Sequence, residues 1–166
     1  LAGVSYNTSG ADIAEWLPSL NSDEEFKAGD IVGIVSGMIS RDTDVADHFM
    51  VISTAPGFVG NMPGREQGRP HEKVAFMGKV PVRVRGSVQA GDFIIPSGKH
   101  DGTGVAVSPH QLTSAHASRI AGRAWESSED QGVKLVECAV GLRAGNQALS
   151  RLLSQKDKEV ASLTEN

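Results

Sequence analysis

The sequence predicts a mainly β fold, a compact barrel or sandwich-like domain with a C-terminal coiled-coil helix. Nineteen glycines and seven prolines in 166 residues indicate many turns and short strands. Runs of β-branched residues recur through most of the chain, whereas no glycine or proline follows Gly145. We therefore predict an extended lead-in over residues 1–11, a β domain over residues 12–142 and a helix over residues 143–166.

Composition excludes several classes of partner. The net charge is -4, and the basic residues Lys79, Arg83 and Arg85 lie along one strand face, so we predict no nucleic-acid binding. The longest apolar run, Ile31–Ile39, is interrupted by glycine and serine and is too short to span a bilayer, so we predict no membrane partner. The single Cys138 lies in an apolar strand and is predicted to be a buried hydrophobe.

The first half of the β domain contains one short helical pattern and several strand patterns. Ala14–Leu20 (AEWLPSL) predicts a turn or two of helix ended by Pro18. Asp30–Ser40 is a β-branched run with a turn at Ser36–Gly37, and Phe49–Ser53 predicts another short strand. Residues 55–72 are rich in glycine and proline and predict a long exposed loop.

The second half contains only strand patterns. Val80, Val82 and Val84 alternate with polar residues or proline, and Pro81 predicts that this strand lies at an edge or carries a bulge. Phe93–Val107 predicts two strands joined by an Asp-Gly loop. Val133–Leu142 predicts the second strand of a hairpin that closes just before it.

An internal repeat links two of these strands. Phe26–Gly37 and Val88–Gly98 each place Ala-Gly-Asp immediately before an apolar strand. Glycine permits a positive φ, and the aspartate side chain can accept hydrogen bonds from nearby backbone N–H groups. The repeat therefore predicts one turn-and-strand unit used twice within a barrel or sandwich.

The C-terminal segment has the spacing of a coiled-coil seam. The seam residues lie 4, 3, 4 and 3 positions apart: Leu149, Leu153, Lys156, Val160 and Leu163. A polar residue inside such a seam can fix register at a cost in stability. The alternative is a surface helix that docks on its own domain and also uses Leu152. We favour a short parallel coiled coil that the globular domains help to hold together.

The stretch Ser9–Leu20 (SGADIAEWLPSL) has two interpretations from its residues alone. In the first, Asp12 caps a short helix and Glu15 completes a capping-box-like pair. In the second, Asp12 and Glu15 share one face of a helical turn and do acid–base chemistry, because burial beside Trp16 raises one pKa. The residues alone favour capping, and both interpretations stay open.

No other pattern supplies conventional catalytic or cofactor-binding machinery. The acidic stretch that includes Asp42, Asp44 and His48 fails the calcium-loop pattern, since the sixth position is Asp47 rather than glycine and the twelfth is Ser53 rather than glutamate. We interpret it as a solvated acidic turn. The sequence contains no hydrolase elbow and no nucleotide-binding glycine loop, so we predict no metal and no cofactor.

Several segments together resemble a known family. They are GADIAEW, the two Ala-Gly-Asp strands, KVAFMGKVPVRVRG, GDFIIPSG with DGTGVAVSP, and GRAWESSE with GVKL. Over Ser9–Leu142 the chain resembles the autoproteolytic intramolecular-chaperone domain at the C-terminus of phage tailspike and preneck-appendage proteins and of related bacterial fibre proteins. The most specific part is the D-x-A-E signature, which is Asp12–Glu15 here.

The resemblance implies a homotrimeric, mostly β domain that helps fibre chains to register and fold, and is then often released by cutting itself off. The cleavage site would be the bond between Ala11 and Asp12, with Glu15 as the catalytic carboxylate and Asp12 beside it. The pattern has a serine where this chain has Ala11. An alanine has no hydroxyl to act as an intramolecular nucleophile, which weakens the prediction of a self-cleaving glutamic-type endopeptidase.

The expected function is therefore C-terminal trimerisation and intramolecular chaperoning of a fibrous or tailspike-like protein. The expected partners are other copies of the chain and the fibre region upstream, and the expected location is a virion or cell-surface fibre. The alternative is a surface-binding or adhesive module of a fibre protein, without chaperone or protease activity, that uses the loop over residues 55–72.

Overall fold

The computed structural model describes residues 5–6, 9–64, 68–141 and 144–164. Within these residues the chain forms eleven strands and two helices. The strands are β1 Ser5–Tyr6, β2 Asp12–Pro18, β3 Ile31–Val35, β4 Met38–Ser40, β5 His48–Ile52, β6 Phe58–Gly60, β7 His71–Arg85, β8 Phe93–Pro96, β9 Gly104–Val107, β10 Gly122–Ala124 and β11 Val133–Gly141. The helices are α1 Ser114–Ala117 and α2 Ala144–Thr164.

A closed five-strand barrel confirms the predicted mainly β fold. Strand β7 pairs with β11, β11 with β10, β10 with β8 and β8 with β9, all antiparallel. The parallel pair β9–β7, with Val84 opposite Gly104, closes the circle. Alternate residues point inward and fill the barrel, and the largest fully buried ones include Val80, Val82, Val84, Ile94, Val136 and Cys138.

The first half of β7 belongs to a second sheet. Ala75 pairs with Ala14 of β2 and also with Val51 of β5, so these two strands lie on opposite sides of β7. Strand β2 leads on to β6 and β1, and β5 leads on to β3 and β4. The core of this second sheet is a separate apolar cluster of Val32, Ile39, Met50, Ile52 and Val74.

Pro81 lies on a strand that carries a bulge, at Phe76, and not on an edge strand, so the second of the two predicted alternatives is confirmed. It pairs with Glu137 of β11 on one side of β7. On the other side, Lys79 N donates to Ala11 O and Arg83 N donates to Gly29 O. Since N–H groups alternate along a strand, the Pro81 nitrogen faces the gap between these two bonds, where a donor is not needed.

The two Ala-Gly-Asp units form the same turn, as the repeat predicts. Lys27 N donates to Asp30 Oδ2 at 2.8 Å, and Gln89 N donates to Asp92 Oδ2 at 2.9 Å. The glycine of each turn has a positive φ, 83° at Gly29 and 97° at Gly91. Each aspartate therefore closes its turn just before its strand enters the sheet.

Asp30 has a second role that its counterpart lacks. Its side chain is fully buried and forms salt bridges with Arg83 and, at 3.1 Å, with Arg41. Gly102 packs so closely on this carboxylate that a side chain there would overlap it. The pairing links the β3–β4 hairpin to β7 and to the loop before β9, because a buried carboxylate needs charged partners that stay in place.

Two sequence predictions are wrong in this region. Ala14–Leu20 is not helical, because Asp12–Pro18 form strand β2 between β6 and β7. Residues 55–72 are not one exposed loop, because Phe58–Gly60 form β6, in which Val59 is buried. Pairing with strands distant in the sequence overrides the local pattern in both cases.

Helix α2 confirms the predicted C-terminal helix, and its coiled-coil pairing stays a prediction. Leu152 packs against a cluster that contains Phe93, Leu112 and Ala117, so one face of the helix docks on the domain. Predicted seam residues are largely exposed: Leu149 by 54%, Leu153 by 65%, Val160 by 58% and Leu163 by 76%. No helix in the described part of the chain is long and apolar enough to cross a membrane.

The buried salt bridges predict a measurable asymmetry between the two turns. Asp30→Asn should lower the free energy of unfolding by about 3 kcal/mol, because Arg41 and Arg83 lose their shared carboxylate. Asp92→Asn should cost only about 1 kcal/mol, because Asp92 makes the turn hydrogen bond without a salt bridge to any described residue. Urea unfolding of both variants measures the difference, and equal losses would contradict the role assigned to the arginines.

Candidate functional site

The predicted cleavage bond lies at the entrance to β2. Ala11 is exposed and Asp12 is 5% exposed, so the chain passes from the surface into the sheet at this bond. The carbonyl oxygen of Ala11 accepts a hydrogen bond from Lys79 N at 3.2 Å, and that of Asp12 accepts one from Gly57 N at 2.8 Å. The bond is therefore held from both sides by backbone groups.

Glycines allow this close packing. A side chain at Gly10 would overlap the backbone nitrogen of Gly57. At Gly78, where φ is 132°, a Cβ atom would lie 2.6 Å from the Cα atom of Asp12 and would overlap the Ala11 carbonyl oxygen. The segment before β2 thus packs directly against backbone atoms on both sides, and neither Gly10 nor Gly78 has space for a side chain.

Burial governs the chemistry of Asp12. Desolvation raises the pKa of its carboxyl above the ordinary value, whereas Ser53 and Lys73 act in the opposite direction. Asp12 Oδ2 and Ser53 Oγ are both buried, and neither has a hydrogen-bond partner among the described residues. Ser53 is thus near the carboxyl without a well-formed hydrogen bond to it, so desolvation decides the direction of the pKa shift.

Glu15 does not share a face with Asp12, as the helical interpretation requires. The two residues lie three apart on a strand, so their side chains point to opposite faces and their Cα atoms are about 10 Å apart. The Glu15 side chain lies on the side of β6, where a Cβ atom at Gly60 would be 3.8 Å from Glu15 Cγ. Within one chain, the structure does not bring Glu15 to the Ala11–Asp12 bond.

Trp16, which follows Glu15 in the stretch Ser9–Leu20, contributes packing. Lys73 Nζ lies 5.8 Å from the centre of its ring, which is a cation–π distance. Lys73 also pairs with Trp16 across β2 and β7. Trp16 therefore connects β2 to β7 through its contact with Lys73, and it does not cover a pair of carboxylates.

An ion cluster that sequence reasoning missed joins two distant loops. His100 Nε2 lies 3.2 Å from Asp44 Oδ2 and 3.9 Å from Asp42 Oδ1, and all three side chains are exposed. Asp47 and His48, grouped with these aspartates in the sequence, do not join the cluster. His100 comes from the β8–β9 loop, so no local pattern reveals the contact. We interpret the cluster as an exposed hydrogen-bonded group that links the two loops.

A cavity of about 190 Å³ lies between the sheet and the two helices. We call it the side cavity. Apolar residues of β5, β7, β11 and α2 line it, including Phe49, Met50, Phe76, Val140 and Leu149. Three further lining residues are exposed polar ones, Asp47, His48 and Ser118. Sequence patterns could not reveal this cavity, because its walls come from five separate segments.

The raised pKa of Asp12 predicts a pH-dependent stability. At pH values between the ordinary aspartate pKa and the raised one, the folded protein holds a proton that the unfolded chain has lost, so stability falls as pH rises through this window. Asp12→Asn should remove this slope and raise the free energy of unfolding at neutral pH by about 1 kcal/mol. Urea unfolding at a series of pH values measures both the slope and the change in the free energy of unfolding.

The exposed substitution Asp23→Asn provides the control for this experiment, and it should keep the slope of the natural protein. A natural protein whose stability rises steadily from acidic to neutral pH, with Asp12→Asn following the same curve, would contradict the assignment of a raised pKa to Asp12.

Comparison with known proteins gives a likeness in fold. No protein-family model matches the chain, and no curated protein matches it. The C-terminal fragment of bacteriophage phi29 gene product 12 is similar at 17% identity and TM-score 0.53, over 78% of this chain and 99% of that one. The pre-mature phi29 gene product 12 is similar at 16% identity and TM-score 0.55, over 84% of this chain.

This chain spans only 22% of the pre-mature protein, so it corresponds to one part of that molecule. At this level of identity the likeness concerns the fold alone. It confirms the resemblance that the sequence indicated: the domain has the fold found at the C-terminus of a phage appendage protein.

Proposed function

We propose that this chain is an assembly domain, whose copies associate as a homotrimer through α2 and thereby align the fibre region upstream. The observation that carries the proposal is the exposed seam of α2. Leu149, Leu153, Val160 and Leu163 are more than half exposed and follow heptad spacing. An apolar stripe of this kind is typical of a helix that packs against another helix.

The docking of α2 on its own barrel supports this assignment. Leu152 lies in the cluster with Phe93 and Leu112, which holds the first half of the helix against the domain. From Leu153 to Thr164 every residue is exposed. About two heptads are marginal as an isolated helix, so a docked beginning lowers the entropic cost of presenting the seam to other copies.

Lys156 supports a defined arrangement of the copies. It occupies a seam position, and its Nζ lies 2.9 Å from Glu159 Oε2 of the same helix. A charged residue inside an apolar seam disfavours registers that bury it away from water or from an acidic partner. Lys156 thus favours one register of the helices over others.

The fold likeness supports the chaperone part of the proposal. The solved relatives are the C-terminal fragment and the pre-mature form of phi29 gene product 12, a tail appendage protein. A domain that associates at one end of a fibre holds the ends of its chains at high effective concentration. Alignment of the remaining chain then costs less entropy.

Mass in solution tests the assembly directly. The natural protein at micromolar concentration should have the mass of a trimer by light scattering. The double variant Leu153→Glu with Val160→Glu should be monomeric, because it places two charges in each copy of the seam. As a matched control, Ser154→Glu with Ala161→Glu adds the same charges one position further along the exposed helix and should stay trimeric.

A natural protein that is monomeric at micromolar concentration would contradict the proposal, and so would a seam variant that assembles as well as its control. Circular dichroism of the seam variant should show an intact β domain, which separates loss of assembly from loss of fold.

Self-cleavage before Asp12 is a second candidate function, and one observation favours it. The Ala11 carbonyl oxygen accepts a hydrogen bond from Lys79 N, which would stabilise negative charge developing on that oxygen. The position of Glu15 on the other face of β2 disfavours cleavage within one chain. Since Ala11 also offers no hydroxyl, we expect the natural bond to remain intact.

A protein extended upstream of Ala11 tests this expectation. Its mass should stay unchanged over days at neutral pH, and Glu15→Gln should leave both mass and trimer content unaltered. Ala11→Ser restores the missing hydroxyl and shows whether the rest of the machinery works. A natural product that begins at Asp12, and that Glu15→Gln abolishes, would overturn the expectation and make the domain a self-cleaving endopeptidase.

A further inference from the structure

We propose that the side cavity is the barrel's part of the interface between copies, and that it receives one apolar side chain from a second copy of this chain. The inference rests on the proposed self-association through α2. It goes further by assigning a specific surface of the β domain to the assembly.

The helix seam alone offers too little surface for a stable assembly. A specific interface covers about 800 Å² on each partner. Four aliphatic side chains, interrupted by Lys156, supply only part of such an area. More apolar surface has to come from the β domain, and it has to lie next to the seam.

The side cavity is continuous with the seam. Leu149 lines the cavity and is also the first seam residue, with 54% of its surface exposed. Gly141, at the other side of the cavity, pairs with Met77, which in turn pairs with Ile13. Met77 and Ile13 are 59% and 43% exposed. The apolar seam of α2 therefore adjoins the cavity at Leu149, and Met77 and Ile13 are exposed apolar residues on strands beside it.

The size and lining of the cavity favour a protein side chain over a metabolite. Pockets for small organic ligands usually measure about 300–1,000 Å³ and contain polar groups that converge on the ligand. The side cavity has about 190 Å³; its walls of Phe49, Met50, Phe76 and Val140 are apolar, and its polar lining residues Asp47, His48 and Ser118 are exposed. An apolar cavity of about 150 Å³ accommodates a benzene ring, so one leucine or phenylalanine side chain fits a space of this size.

Protection of the cavity mouth from a thiol reagent tests the inference. Ser118→Cys places a thiol at the mouth, and Ser87→Cys places one on an exposed turn beyond the end of β7. The natural Cys138 does not interfere, because it is fully buried and burial raises its pKa to about 12. Labelling rates are compared in the natural seam background and in the Leu153→Glu with Val160→Glu background.

We expect Ser118→Cys to react at least tenfold more slowly in the natural background than in the seam variant, and Ser87→Cys to react equally in both. Equal rates at Ser118→Cys in a protein whose mass is that of a trimer would overturn the inference and leave the proposed function standing. A monomeric natural background would overturn the proposed function, and this inference with it.

A charge at the cavity mouth provides an independent measurement. Ser118→Arg should weaken assembly at least tenfold, measured as the concentration at which half of the protein is dissociated, because the long charged side chain would occupy the cavity in place of the incoming apolar side chain. Ser87→Arg adds the same charge away from the cavity and should leave that concentration unchanged. Equal effects of the two substitutions would contradict the assignment of the cavity to the interface.

Discussion

Strand β7 is the constraint on which the two sheets depend, because its two halves pair with different partners. Its first half lies between β2 and β5, and its second half lies between β11 and β9. The register with β2 shifts between Ile13 and Ala14, where Phe76 of β7 has no partner. A bulge of this kind bends a strand and increases its twist. The bend directs one continuous strand from the open sheet into the barrel.

The position of Asp12 follows from this bend. Strand β2 begins at Asp12, opposite Gly78 and just beyond the bulge, and only a glycine at that position leaves space for the Asp12 backbone. The inward-facing carboxyl then enters the interior and loses water. Burial of Asp12 and separation of Asp12 from Glu15 are therefore two results of the same strand geometry, since neighbouring inward positions on a strand are two residues apart and not three.

Local patterns predicted the features that depend on local bonds. The Ala-Gly-Asp turns close through the side chain of their own aspartate, and the Ser36–Gly37 turn joins adjacent strands, so a few consecutive residues determine each. The helical spacing of α2 is local too.

Local sequence patterns could not predict the features that residues distant in the sequence form together. Asp12–Pro18 resemble a capped helical turn until β6 and β7 pair with them. His100 meets Asp44 only because two loops from different sheets converge. For the candidate site, the sequence pointed to Ala11, Asp12 and Glu15 through the family resemblance, and their roles stay predictions. It could not show which face Glu15 occupies, because that depends on the choice between helix and strand.

The distribution of exposed apolar residues is the reason for proposing assembly, and not catalysis, as the role of this domain. Catalysis would require Glu15 and the Ala11–Asp12 bond to approach each other, and strand β2 keeps them apart while its pairing with β7 is intact. Assembly through this stripe would use side chains that already face solvent, Leu149, Leu153, Val160 and Leu163, on a helix that Leu152 anchors to the domain at the edge of the same face. Under the proposed function, further copies of the chain would cover this stripe and remove its apolar surface from water.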